Sequence, residues 1–282
     1  MSKKLIKSPM NYVGGKYKLL PQILPLFPKE IDTFVDLFCG GFNVGINVNA
    51  NRIIGNDLCK EVIEVYQGIQ REGLENSLKL VKKQIDIYDL SKTNEEGFKA
   101  IRDYYNSGNK DWFVFYAMLT HAFNYQIRFN KQGNYNMPFG RNRSHFNATL
   151  EKHFMEFAEK IKDKNIIFTN KNFKDLNIDK LTNKDFVYLD PPYLITCASY
   201  NEQDGWNENK ERELLSLCDR LNEKGIKFGL SNVLEHKGLK NEILIEWSKK
   251  YKVHYLNYNY NNCNYQDNNK QNKTIEVLIT NY

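Results

Sequence analysis

The chain has 282 residues, 41% hydrophobic and 26% charged, with 40 Lys and Arg against 34 Asp and Glu for a formal net charge of +6. That composition is that of an ordinary globular protein and excludes a collagen, a coiled-coil rod and a mostly disordered chain. The longest uninterrupted apolar run, Trp112 to Leu119, spans eight residues, well short of the roughly 20 that a membrane helix needs.

In chain order, the first residues Met1 to Lys4 are followed by Pro9 and Asn11 without the apolar stretch of a signal peptide, so a cytoplasmic protein is expected. Runs of β-branched and aromatic residues predict strands at Thr33–Phe38 and Arg52–Asn56, and 3.6-residue periodicity predicts a helix at Lys60–Gln70. Three helical patterns follow at Leu74–Tyr88, Glu95–Tyr105 and Asp111–His121, then a stretch rich in Gly, Asn and Arg up to about residue 148. A helix at Leu150–Lys162 returns the chain to strands at Asn165–Thr169 and Asp185–Leu189. A helix at Lys210–Lys224 and a strand at Ile226–Leu230 come next. Two β-like runs, Lys252–Leu256 and Thr274–Thr280, flank a polar segment from Asn257 to Lys273 that reads as a binding loop or a plain linker. Strands alternating with helices predict an α/β core with a largely parallel sheet. The segment 71–148 interrupts that rhythm as an inserted helical module, dividing the chain into 1–70, 71–148 and 149–282.

The five cysteines (39, 59, 197, 218 and 263) are odd in number and form no CxxC pair, so neither a disulfide framework nor a metal site is expected. A basic balance is compatible with nucleic acid, but Lys and Asn are used heavily throughout. The eight arginines are more telling, because Arg128, Arg141 and Arg143 fall close together.

Three motifs carry chemistry. Asp36-Leu37-Phe38-Cys39-Gly40-Gly41 leaves the first strand through a Gly-Gly turn that lets a ligand approach the backbone. The second strand ends at Asp57, where a carboxylate can take the two hydroxyls of a ribose or simply cap the strand. No full GxGxxG is present, which disfavours a dinucleotide. Asp190-Pro191-Pro192-Tyr193 follows the apolar strand Phe-Val-Tyr-Leu, at the edge where α/β sheets bind ligands. The Asp190 carboxylate and the Pro191 carbonyl are two acceptors that can bind both N–H groups of one aromatic amine and direct its lone pair outward. The prolines stiffen the backbone, and Tyr193 offers a ring for stacking. Asn11-Tyr12-Val13-Gly14-Gly15-Lys16 lacks the GxxxxGK[ST] spacing of a phosphate loop, but Tyr12 can pack on a cofactor and Lys16 can pair with its carboxylate.

Taken together and in this order, these motifs resemble the Dam-type (D12 class) DNA adenine-N6 methyltransferases, the alpha-group arrangement of S-adenosylmethionine-dependent amino-methyltransferases. The resemblance covers nearly the whole chain. It includes Arg128-Phe129-Asn130, Gly133, Asn136-Met137-Pro138-Phe139-Gly140 and the closing Glu276-Val277-Leu278-Ile279-Thr280-Asn281-Tyr282. It implies a Rossmann-like S-adenosylmethionine-dependent core with a seven-stranded mixed sheet and an inserted target-recognition module. By resemblance, Tyr12, Lys16, Phe38, Gly40, Asp57, Phe173 and Asp190 bind the cofactor, with a core role as the competing reading for Phe173. Asp190, Pro191 and Tyr193 form the catalytic set.

The same resemblance implies double-stranded DNA as partner, with a target adenine turned out of the duplex because its amine is otherwise paired inside the stack. Phe123 and Asn124 match positions that probe the gap left behind. Arg128 matches a residue that reads guanine, and Pro138 one that touches a thymine methyl. Arg141 and Arg143 are assigned to phosphates, or to a solvated basic loop. Asn11 stands where Dam-type enzymes carry a base-reading lysine, which leaves GATC or a GATG-containing sequence as the leading targets. A restriction–modification or phage setting, with a cognate restriction endonuclease as functional partner, goes with that departure. An RNA or other amino-nitrogen methyltransferase, or a non-catalytic DNA-binding protein on the same scaffold, are the competing readings.

Overall fold

The structure, a computed structural model, describes residues 4–12, 14–162, 164–196, 205–257 and 274–282. The polar segment read as a binding loop or a plain linker lies, from residue 258 to 273, outside the described residues. In chain order the elements are α1 (Leu20–Ile23), β1 (Thr33–Asp36), α2 (Asn43–Asn47), β2 (Arg52–Asn56), α3 (Lys60–Ile87), α4 (Glu95–Asn106), α5 (Trp112–Leu119) and α6 (Ala148–Lys162). They continue with β3 (Ile166–Thr169), β4 (Phe186–Leu189), α7 (Glu208–Glu223), β5 (Lys227–His236), β6 (Leu239–Lys240), α8 (Glu242–Ser248), β7 (Lys252–Leu256) and β8 (Thr274–Thr280). The chain divides into two compact units. The first comprises 1–15, 40–47 and 59–170, and the second 16–39, 48–58 and 171–282. The inserted segment 71–148 therefore lies wholly within the first unit.

The second unit holds a mixed sheet in the order β2-β1-β4-β5-β8-β7, with the two-residue β6 beside β5. Strands β2, β1, β4 and β5 run parallel, while β8 is antiparallel to both β5 and β7. This is the Rossmann-like α/β core expected. All seven expected strands form, and β6 adds an eighth because β5 runs to His236, six residues past its expected end, and turns back at Lys237-Gly238.

β4 shows why the parallel strands are read so easily. Its four residues are all buried, as the continuous apolar run of a strand covered on both faces requires. On one face Val187 and Leu189 join Leu214, Leu217, Cys218 and Leu221 of α7. On the other, the Phe186 and Tyr188 rings meet Phe27 at 4.7 and 5.5 Å. The Asp185 carboxylate accepts from the Thr33 N–H at 2.8 Å, tying the start of β4 to the start of β1. Helices α7 and α8 begin at Asn207 and Asn241, whose side chains accept from Lys210 and Leu244 N–H groups at 3.0 and 3.1 Å. The Asn-rich composition thus supplies helix caps.

In the first unit α3 packs against α5 and α6, with β3 beside it. The segment Trp112–Leu119 is apolar on every side, and all of it but Phe113 is buried, as a helix surrounded by protein requires. Two expected helices, Lys60–Gln70 and Leu74–Tyr88, join across Gly73, which sits at φ 72 and ψ 176. That region is essentially closed to residues with a Cβ. A Cβ built on Gly73 meets nothing within 4 Å, so Gly73→Ala tests backbone strain alone. It is expected to cost about 1–3 kcal/mol, read as a lower urea midpoint with an unchanged slope. An unchanged midpoint would show that the kink is not needed.

Candidate active site

The parallel register brings β2, β1 and β4 to a common carboxyl edge, since Asp36 lies opposite both Gly55 and Tyr188. Three expected site residues therefore share that edge: Phe38 after β1, Asp57 after β2 and Asp190 after β4. The ladder extends past the strands, with Leu37 N–H donating to Tyr188 O at 3.0 Å and Cys39 N–H to Asn56 O at 2.8 Å. Asn56 fixes the loop carrying Phe173 by donating from its amide to Lys171 O at 3.0 Å and accepting from Lys171 N–H at 3.1 Å. Phe38 and Phe173 consequently meet, with ring centroids 5.6 Å apart.

Trp206 completes this aromatic group at 5.9 Å from Phe38 and 5.8 Å from Phe173. Its indole N–H donates to the buried Glu211 carboxylate at 2.6 Å, and Asn241 and Asn232 donate to that carboxylate at 2.9 and 3.3 Å. Burial raises the Glu211 carboxyl above the usual range, and these donors oppose the shift. Trp206 was not among the residues singled out from sequence. Its one local signal is an aromatic immediately before the cap of α7.

Asp190 sits in a cluster of four side chains. Lys16 opens a 3₁₀ turn at Lys16–Leu19 and is buried at 4% exposure. Its ammonium lies 2.9 Å from Asp190 Oδ2 and 3.6 Å from Glu276 Oε1. The Tyr193 hydroxyl lies 3.0 Å from Asp190 Oδ1 and 3.3 Å from Glu276 Oε1, and the Lys16 ammonium is 5.0 Å from the Tyr193 ring centroid. The Lys16 ammonium thus pairs with two protein carboxylates. Burial raises the Asp190 carboxyl above its ordinary range, and Lys16 opposes that shift. Burial also raises Glu276, with Lys16 lowering it and Asp190 raising it.

Glu276 reaches this edge through topology. Strand β8 runs antiparallel to β5, with Glu276 opposite Val233, so its early residues lie at the carboxyl end of β5. Val277 and Ile279 alternate onto the apolar face against α7, which turns Glu276 the other way. A lone acid inside the run Thr274–Thr280 is the only local signal.

In the first unit, Gly40 adopts φ +42, and a Cβ there would fall 2.8 Å from the Tyr12 ring. The backbone at Gly40 thus lies flat against Tyr12, a packing that only glycine permits. The same unit gathers several expected DNA contacts. Phe123 N–H donates to Pro138 O at 2.9 Å and Gly140 N–H to His121 O at 2.9 Å, holding the two segments side by side. Asn124 and Tyr125 both take positive φ, 54° and 56°, an uncommon conformation for residues with a Cβ. This tight turn leaves Phe123 and Asn124 exposed. The Arg143 guanidinium sits 5.0 Å from the Phe123 ring and donates to Asn124 Oδ1 at 3.3 Å. Asn11 donates to Asn124 O at 3.4 Å.

Arg128 donates from Nε to Asn136 Oδ1 at 2.8 Å and from Nη2 to Asn136 O at 2.9 Å. The fork is thereby fixed in orientation, as bidentate recognition of a planar edge favours. Arg141 pairs with the Glu95 carboxylate. Among the described residues, no group of three His, Cys, Asp or Glu side chains could hold a metal ion, and no helix is long and apolar enough to cross a membrane.

The chain is 51% identical over 281 residues to the type II methyltransferase M.FokI of Planomicrobium okeanokoites, an alignment covering 98% of this chain and 43% of that protein. It is 47% identical over 287 residues to the modification methylase StsI of Streptococcus sanguinis, covering 100% of this chain and 44% of that protein. The chain thus spans less than half the length of these two relatives. The DNA adenine methylase of Escherichia coli (strain K12) is 24% identical over 252 residues, covering 87% of this chain and 85% of that protein. Residues 12–262 match the family model of the D12 class N6 adenine-specific DNA methyltransferases, and by that match the chain belongs to this family.

Proposed function

We propose that the chain transfers a methyl group from S-adenosylmethionine to adenine N6 in duplex DNA, at a short site for which GATC or a GATG-containing sequence is first choice. The observation that carries this reading is Asp190, held at the carboxyl edge of β4 by Lys16 and Tyr193. An adenine N6 lone pair is delocalised into its ring. Accepting its two N–H bonds on the Asp190 carboxylate and the Pro191 carbonyl localises that pair toward an electrophile, so catalysis is positioning and electrostatics. The cofactor supplies the methyl already activated on a sulfonium. Phe38 and Phe173 fit its adenine as an apolar face and Asp57 its ribose, and Tyr12 and Gly40 keep the cofactor role that the resemblance implies.

Segment 71–148 is assigned to target recognition, with Asn11, Phe123, Asn124 and Arg143 as one face and Pro138 beside them. A restriction–modification setting with a cognate endonuclease as partner belongs to the same reading, supported by its similarity to a type II methyltransferase and a modification methylase, and a cytoplasmic location goes with it. The test is expression in a methylation-deficient bacterial host, beside Asp190→Ala, with single-molecule sequencing of the genomic DNA. N6-methyladenine confined to one short motif and absent from the variant is expected. Folded protein without any modified adenine would refute the reading.

Arg128 makes a sharper prediction. Its oriented fork suits O6 and N7 of guanine, a contact worth about 1–3 kcal/mol of discrimination. Arg128→Ala is expected to lose roughly 5- to 150-fold in kcat/KM on the cognate duplex and to relax preference at one position only. Arg143→Ala should weaken binding to all sequences alike and flatten the salt dependence. Equal behaviour of the two variants on cognate and substituted duplexes would remove the distinction.

A further inference from the structure

The four-residue cluster holds two carboxylates and one cation. Lys16 lies within 4 Å of both Asp190 and Glu276, so with both carboxylates ionised these three described residues carry one net negative charge, in a site where their side chains are 4%, 16% and 6% exposed. An uncompensated buried charge is costly unless something of opposite sign arrives. Methyl transfer to an amine brings such a charge, since the nitrogen becomes cationic and must then shed one proton.

The Tyr193 hydroxyl has one proton for two acceptors, Asp190 Oδ1 at 3.0 Å and Glu276 Oε1 at 3.3 Å. With both carboxylates ionised it can serve only one of them fully. Once Asp190 is protonated, its O–H can donate to the tyrosine oxygen while the tyrosine donates to Glu276. That is a complete path for one proton.

Resting on the function proposed above, we propose that Glu276 is the acceptor of the proton shed by the methylated amine, reached from Asp190 through the Tyr193 hydroxyl. The steps balance. The adenine N6 pair forms the N–C bond as the bond from that carbon to the cofactor sulfur breaks. The resulting cationic nitrogen passes one proton to Asp190. Asp190 passes a proton to Tyr193 as Tyr193 passes its own to Glu276, which regenerates the Asp190 carboxylate and leaves the cluster neutral. Exchange with solvent after product release restores the starting charge. Glu276 acts through Tyr193 and Asp190, so it is a positioning residue that also holds the proton.

The groups facing it are Lys16, Asp190 and Tyr193, and its charge also reaches the Tyr188 hydroxyl. The Tyr188 hydroxyl is engaged with Ser231 at 2.8 Å and offers no competing route.

The experiment compares wild type, Glu276→Gln and Glu276→Asp in single-turnover methyl transfer across pH. Cofactor affinity and the fluorescence of a 2-aminopurine in place of the target adenine are measured in parallel. Glu276→Gln keeps an acceptor for Tyr193 but cannot take a proton. Its rate is expected to fall at least about tenfold, below the usual range for direct acid–base groups because it acts one step removed. With one carboxylate gone, Asp190 ionises more readily, so the acid limb of its profile should move to lower pH, by about one unit. Cofactor affinity and the fluorescence change should stay within about twofold of wild type, and Glu276→Asp should recover part of the rate.

A wild-type rate and limb in Glu276→Gln would overturn the proposal, as would losses of cofactor and DNA binding in step with the rate. Should Glu276→Gln fail to fold, Tyr193→Phe breaks the same path while keeping the ring. Its rate must then fall at least about tenfold with cofactor affinity kept, while its acid limb moves to higher pH because the Tyr193 hydroxyl no longer holds the Asp190 carboxyl down; a wild-type rate overturns the proposal. Wild type that transfers no methyl to DNA would overturn the underlying function instead.

Discussion

Asp190→Ala is expected to abolish methyl transfer, by about a thousandfold or more, while cofactor binding remains measurable. Removing one preorganised polar contact to a reacting group already costs about 10²–10³ in rate. Here the same side chain also anchors Lys16 at 2.9 Å and Tyr193 at 3.0 Å, so the substitution frees two further groups from their places. The variant should fold, because taking one carboxylate from two carboxylates and one cation leaves Lys16 with Glu276 as a balanced pair. Phe38, Phe173 and Trp206 pack on one another, so the proposed adenine face has its own support. Single-turnover incorporation of labelled methyl, with equilibrium dialysis of the cofactor on the same preparation, checks both halves. Activity within tenfold of wild type would remove Asp190 from the role given it. Asp190→Asn is the instructive intermediate, since it keeps one acceptor oxygen and loses the charge.

The parts legible in the sequence are those written locally. β4 is one apolar run bounded by an acid and two prolines, and Phe186–Leu189 forms within the expected Asp185–Leu189. The helix and strand bounds elsewhere in the core shift by a few residues at most, except where tertiary context decides. Gly73 reads as a break between two helices, and it is one, at φ 72 and ψ 176, although the second helix starts directly beyond it. β5 extends past Leu230 because β8 pairs with it as far as His236, which no local pattern in 231–236 announces. The short helices α2 and α8 have too few turns to show a period.

The site divides the same way. Asp190, Tyr193 and Phe38 stand beside strands in recognisable strings, and their common edge follows once those strands run parallel. Glu276 and Trp206 enter from other parts of the chain, one by the antiparallel return of β8 and the other by a hydrogen bond to buried Glu211. Lys16 is the mixed case. Its position after Gly-Gly was notable, but its partners are set by a fold that places residues 16, 190 and 276 together. The recognition face behaves likewise, since Arg143 meets Phe123 only because Gly140 N–H is bonded to His121 O.

Lys16→Met is expected to be the most damaging substitution for stability, and in a pH-dependent way. Methionine matches the lysine stem in volume, so packing is largely kept and the charge is what is lost. Two buried carboxylates then face each other through Tyr193 with no cation between them. Breaking a buried pair by removing one partner costs about 3–5 kcal/mol, which for a chain of this size is a melting-temperature drop of roughly 10 °C.

The pH dependence has a definite sign. Asp190 and Glu276 are already raised above their ordinary range by burial, and losing Lys16 removes the influence that opposes that rise. A carboxyl raised in the folded state binds its proton more tightly there than in the unfolded chain, so stability falls as pH climbs through the folded value. The deficit of Lys16→Met should therefore be largest at pH 8 and shrink as the solution is made mildly acidic, where one carboxyl takes a proton and the pair shares it. Calorimetry of wild type and variant at pH 8 and pH 5.5 reads this directly. Adding Glu276→Gln to Lys16→Met should restore a large part of the loss at pH 8, because only one buried carboxylate then lacks a partner. If the melting temperature of Lys16→Met equals that of wild type at both pH values, the cluster does not bear the charge balance assigned to it.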